Sequence, residues 1–183
     1  MDDVYVVQVN TDGDSGFPKD RVVEIGIARA DLSTGHVDSF YYNRVALPPG
    51  SFMRRQREYM LANSGLTPED LQSGRPEEEV VADVKRLLNG RTVTSFDIGV
   101  TFMRFLLMDP WDLTHEATLM ASCSAGLPAS LKGRADRNEN EMIRLAYDAL
   151  FPGDAKGMGD GRSALDLALK SAFIMLELRR RGL

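Results

Sequence analysis

Cysteine is almost absent from this chain of 183 residues: Cys123 stands alone, which excludes an internal disulfide framework and a multi-cysteine zinc site. Histidine is nearly as scarce. With only His36 and His115 to offer nitrogen, any resident metal would have to sit on oxygen. Long apolar runs are missing too, since the stretch 4–9 is interrupted by Gln8 and falls far short of the roughly 20 residues that span a bilayer. The chain opens Met1-Asp2-Asp3 without the basic n-region of a secretory signal, so the expected location is cytoplasmic, with no membrane contact. Positive charge is also short. Against 22 Lys and Arg stand 27 Asp and Glu, a balance of -5 that offers no global attraction to a phosphate backbone.

What is there has the make-up of a soluble globular domain, with 43% hydrophobic and 27% charged residues, enough apolar material to bury a core. The length suits one domain over residues 1–183. Two local basic clusters interrupt the acidic background. Arg54, Arg55 and Arg57 form one, and Arg179, Arg180 and Arg181 form the other, which suits the negative end of a C-terminal helix dipole.

Element order follows from periodicity and punctuation. Residues 4–10 are rich in β-branched side chains and run into the turn formers Thr11-Asp12-Gly13-Asp14-Ser15-Gly16, a strand followed by a loop. Residues 21–30 and 37–45 read as two further strands, which makes a meander. After Pro48-Pro49-Gly50 the pattern turns helical, and Thr67 with Pro68 and Asp70 reads as the capped start of a helix. Residues 76–88 carry Val80, Val81, Val84, Leu87 and Leu88 at helical spacing. Residues 91–96 read as a strand entering a helix over 100–108, residues 126–140 as a loop, and residues 141–150 as a helix. The glycine-rich stretch 153–161 reads as a mobile loop before a long amphipathic helix that begins at Arg162 or Ser163. Three antiparallel strands followed by βα units predict an α/β mixed sheet flanked by helices.

Local text within that order resembles the DnaQ-like DEDDh 3'-5' exonucleases of the ribonuclease H-like fold, over nearly the whole chain. The residues that carry the resemblance are Gln8-Val9-Asn10-Thr11-Asp12-Gly13, Asp20-Arg21-Val22-Val23-Glu24-Ile25-Gly26, Gly65-Leu66-Thr67, Thr94-Ser95-Phe96-Asp97 through Thr101 with Phe105-Leu106, and Arg162-Ser163-Ala164-Leu165-Asp166-Leu167-Ala168. The resemblance implies a catalytic set at Gln8, Asn10, Thr101, Arg162 and Leu167, where the family carries two first-strand acids, an aspartate, a histidine and a last aspartate. All five are replaced here. In the family the acids hold two divalent cations that activate water and stabilise the leaving oxygen, and the histidine takes the proton. Amides supply only neutral oxygen, leucine supplies none, and a guanidinium is no base at neutral pH.

The resemblance therefore implies a pseudo-exonuclease without a cofactor, acting as a protein-interaction or assembly subunit, as a homodimer or with another partner. Alternatively, it would bind single-stranded nucleic acid or nucleotide weakly through Arg162, Asn10 and Thr11. A competing expectation keeps magnesium- or manganese-dependent 3'-5' exonuclease chemistry on displaced acids, Asp12, Asp97, Asp160 or Asp166. Geometry weighs against it, because Asp166 lies about 100° of helix rotation from the matched position, and Asp12 and Asp14 read as turn residues bonded to their own backbone. Glu24 reads as a structural hydrogen-bonding group, His36 as exposed and His115 at most as a displaced base. Cys123 reads as a small buried residue, and Met103, Met108, Met120, Met142 and Met175 read as core filling.

Overall fold

The structure, a computed structural model, describes residues 3–131 and 138–183. Strands β1 (Asp3–Thr11), β2 (Val22–Asp31) and β3 (Val37–Arg44) form the antiparallel meander that the alternation predicts. Strand β4 (Arg91–Thr94) runs parallel to β1, and β5 (Ala117–Leu119) runs parallel to β4, giving a mixed sheet of order β3-β2-β1-β4-β5. Helices α1 (Arg54–Asn63), α2 (Glu77–Leu88), α3 (Ile98–Thr101), α4 (Glu139–Leu150) and α5 (Ala164–Arg180) complete the fold. No helix among the described residues is long and apolar enough to cross a membrane.

The two-residue period of β1 sorts its side chains into two layers. Tyr5, Val7 and Val9 join Ile25, Ile27 and the α2 residues Val80, Val84 and Leu88 on one face. Val4 and Val6 face the other way, with Ala28, Ala30 and the α5 residues Ala168, Ala172 and Met175. By the same period Gln8 and Asn10 belong to the α5 face. Helix α4 packs on α5 through Ile143, Ala146, Tyr147 and Leu150 against Leu167, Ile174 and Leu178.

Small residues on β2 bring α5 close. A Cβ at Gly26 would fall 2.2 Å from the Leu165 backbone nitrogen, so only glycine permits this approach. Ala28 and Ala30 continue that stripe along the strand.

Four local expectations are corrected. Thr67 donates to the Asp70 carboxylate through its backbone N–H at 2.8 Å and its hydroxyl at 2.7 Å, but the cap opens only a single 3-10 turn, Asp70–Ser73. The helix expected over 100–108 starts instead at Ile98, where Asp97 caps it by accepting the Gly99 N–H at 2.8 Å. It then widens into a π turn over Phe102–Leu106 that buries Phe102, Phe105 and Leu106 and leaves Met103 and Met108 outside, 59% and 43% exposed. Helix α4 begins at Glu139, two residues earlier than expected, because Asn138 caps it through the Glu141 N–H at 2.9 Å. Residues 132–137 of the preceding stretch lie outside the described residues. Finally, the glycine-rich stretch folds around Asp154, whose carboxylate accepts the N–H groups of Met158 and Gly159 and the Tyr147 hydroxyl. The buried Lys170 ammonium closes the same loop by donating to the Gly159 carbonyl.

Candidate functional site

The close approach of α5 to β2 sets up the site. Glu24, 1% exposed on β2, accepts the Asn10 side-chain amide and the Ala164 N–H, both at 2.7 Å, and also the Tyr42 hydroxyl. Its structural reading holds, for it joins β1, β2, β3 and the first turn of α5. Asn10 also donates to the Arg162 carbonyl at 2.9 Å and accepts from the Asn140 amide at 2.7 Å. A second amide pair, Asn138 to Asn63, links the start of α4 to the end of α1.

Gln8 lies deeper and is fully buried. Its amide donates to the Ser171 hydroxyl at 3.4 Å, and its oxygen lies 3.3 Å from the Thr101 hydroxyl. Thr101 also reaches Glu139 at 3.3 Å, and the Glu139 carboxylate accepts the Asp97 N–H at 3.0 Å. Burial pushes the Glu139 carboxyl up to about 8, helped by the Asp97 charge and opposed by the N–H of Asp97, the Thr101 hydroxyl and the Gln8 amide. Near pH 7 it therefore keeps its proton. Glu139 is a residue of this site that sequence reasoning missed, because it fell within the stretch 126–140 read as a loop, whereas it opens α4.

These groups back a cleft of about 450 Å3 between α1, α3 and the start of α4. Tyr59, Asn63, Asp14, Asp97 and Arg104 contribute to its walls, and Arg104 donates to the Asp14 carbonyl at 3.0 Å. Asn10 and Thr11 line the cleft. The structure thus brings Gln8, Asn10, Thr11 and Thr101 together. Leu167 is instead fully buried in the α4–α5 core, and the exposed Arg162 side chain turns away to the Ala62 carbonyl at 3.4 Å.

The displaced acids do not converge. Asp12 is fully buried away from the cleft and is no simple turn residue, since it accepts from the Arg21 backbone and guanidinium and from the Gln56 amide. Asp166 accepts from the Ser163 hydroxyl at the α5 cap, Asp97 caps α3, and Asp160 is exposed on the glycine-rich loop. His115 is exposed before β5, and His36 pairs with Asp38 on the surface. Cys123 is buried, with its thiol pushed up to about 12, so it is no nucleophile.

Magnesium and manganese require several anionic oxygens around each ion. Gln8, Asn10 and Thr101 offer neutral groups already bonded within the protein. Among the described residues no three His, Cys, Asp or Glu side chains form a metal-binding group. The positions matched to the family's acids thus supply no anionic oxygen for a divalent pair, and the acids lining the cleft are Asp14, Asp97 and Glu139.

No family profile matches this sequence, and no curated protein does. Solved structures do match in shape. The chain aligns with a full-length 3'-exonuclease at a TM-score of 0.64 and 10% identity, covering 99% of this chain and 61% of that one. It aligns with the nuclease domain of 3'hExo, a DEDDh family member bound to rAMP, at 0.65 and 11% identity, covering 99% and 93%. For E. coli Exonuclease I in complex with a dT13 oligonucleotide the values are 0.63 and 15%, with 98% and 41% covered. The chain therefore spans less than two thirds of the full-length exonuclease and less than half of Exonuclease I. At such identities the likeness speaks to architecture. The architecture is that of the DEDDh 3'-exonucleases, a ribonuclease H-like α/β domain with a mixed five-stranded sheet flanked by helices.

Proposed function

We propose that this domain is an exonuclease-like fold that does not cleave and that works as an interaction or assembly subunit, with a protein partner or a second copy of itself. One observation carries the reading: Asn10, at the position matched to a metal-holding acid, commits its side chain to Glu24, the Arg162 carbonyl and Asn140. Phosphodiester hydrolysis needs an activated water and charge stabilisation on the leaving oxygen. Neutral Gln8 and Thr101, apolar Leu167 and an Arg162 turned toward Ala62 supply neither. No metal cofactor enters this reading.

Labelled single-stranded DNA and RNA, incubated with the protein in magnesium or manganese, should remain full length. Shortening that Asp12→Ala, Asp97→Ala, Asp160→Ala or Asp166→Ala abolishes would establish the metal-dependent 3'-5' exonuclease in its place. Light scattering reads assembly, and a monomer at every concentration removes the homodimer form.

A second reading is weak binding of a single-stranded nucleic-acid end in the cleft, favoured by Tyr59 and Arg104 on its walls and by Arg162, Asn10 and Thr11 beside or within it. Nucleic acid or nucleotide occupies neighbours of the same architecture, as the rAMP and dT13 complexes show for those proteins. Here Asp14 and Asp97 oppose phosphate, so an oligonucleotide held by cation–phosphate contact should dissociate as salt rises.

A further inference from the structure

We propose that the groove between the β2–β3 turn and the C-terminal half of α5 is a docking site for a short acidic segment of a partner protein, one that seats an apolar side chain between flanking carboxylates. The groove encloses about 470 Å3. Leu32 from the turn and Phe173 and Leu176 from α5 give it an apolar floor, and Lys156, Arg179 and Arg180 border it. The proposal rests on the interaction reading above and supplies the chemistry of the partner.

Charge selects the occupant. Glu177, the one carboxylate among the lining residues, is taken by Arg180 at 2.7 Å and by Arg181 at 2.8 Å. The Arg179 side chain has no ion pair or hydrogen bond among the described residues, and Lys156 lies over the rings of Phe151 and Phe173, 5.8 and 5.3 Å from their centroids. Nearby Asp31 is turned into its own loop, where it accepts the N–H groups of Ser33 and Thr34. Two cations without a carboxylate partner among the described residues thus border an apolar floor on a chain whose net charge is -5. A basic rim around an apolar centre complements an acidic peptide with one apolar anchor.

The same groove is poorly made for nucleic acid. Phe151 is buried, Phe173 meets it edge to face at 6.3 Å, and Lys156 occupies one face of each ring, which leaves less ring face for a stacked base than for a small apolar side chain. Location separates it from the cleft as well: the α5 turn that meets Glu24 and the stretch bordering the groove are about 20 Å apart along the helix.

Fluorescence anisotropy on the full chain tests the proposal, with a labelled peptide carrying a phenylalanine flanked by glutamates. Saturable binding is expected, weakened by salt and reduced about tenfold or more in the K156E/R179E double variant. Both positions are exposed, so the double variant should stay folded, its unfolding midpoint lowered only modestly by the lost ring contacts of Lys156 and the reversed charge at the end of α5. An Arg54→Glu control, on the 92% exposed Arg54 side chain of α1, should bind normally. Absence of saturable binding, equal binding by the double variant, equal binding of a glutamine-substituted peptide, or displacement of the peptide by a single-stranded oligonucleotide overturns the proposal. Strand shortening measured on the same samples separates the two readings. Trimming removes the non-cleaving reading and leaves the groove result standing, whereas lost peptide binding removes the groove alone.

Discussion

Asn10 and Glu24 face each other across the first hairpin at a paired register position, and the Asn10 amide donates to the Glu24 carboxylate at 2.7 Å. The same oxygen of Glu24 takes the Ala164 N–H, so the first hairpin and the first turn of α5 meet on one buried carboxylate. Glu24→Ala orphans both donors. Each should cost about 1–3 kcal/mol, read as a lowered urea midpoint, and Glu24→Gln should recover part of the loss. An unchanged midpoint in the alanine variant would deny Glu24 its role as the junction.

Gly26→Ala tests the helix–strand contact directly. The added methyl meets backbone atoms of Ala164 and Leu165, which cannot swing aside as a flexible side chain would. A cost of about 1–3 kcal/mol or more is expected, again by urea unfolding. A neutral result would mean that α5 slides along the sheet.

Stability should fall as pH rises toward 8. The Glu139 carboxyl is pushed up to about 8 in the folded protein, above its ordinary value near 4.5, so between those limits the folded state binds the extra proton. Its favourable contribution is full below about pH 4.5 and is lost as pH rises through about 8. Unfolding midpoints across that range should decline for the wild type, and Glu139→Gln should flatten the decline. Equal slopes for the two proteins would refute a raised Glu139.

Thermal unfolding with and without magnesium or manganese addresses the donor set. A folded-state metal site raises Tm by mass action, so no metal-specific rise is expected. A rise of several degrees that Glu139→Ala removes would show that the cleft does gather a cation.

Much of this architecture was legible in the sequence. The alternation of residues 4–10 and the strands read over 21–30 and 37–45 foretell the meander, because two-residue periodicity is a local property, whereas the contact of Gly26 with α5 depends on a partner far along the chain. The start of α5, expected at Arg162 or Ser163, falls at Ala164, with Ser163 as the cap whose hydroxyl accepts the Asp166 N–H at 3.1 Å. Glu139 was not readable. Its importance depends on α4 bringing it to Thr101 and Asp97, contacts separated by about forty residues that leave no local pattern. The exposure of Met103 and Met108 escaped too: Met103 lies opposite the buried Phe102, Phe105 and Leu106 and Met108 follows the π turn, although their sequence setting is apolar. Arg162 lies just before the α5 cap, and the direction of its side chain depends on where α1 ends.

The cleft walls are buttoned by uncharged amides, Asn140 to Asn10 and Asn138 to Asn63. Such fastenings answer neither to counterions nor to chelators, because they hold no charge to shield and no ion to withdraw. The spacing of the walls should therefore survive EDTA and concentrated sodium chloride alike.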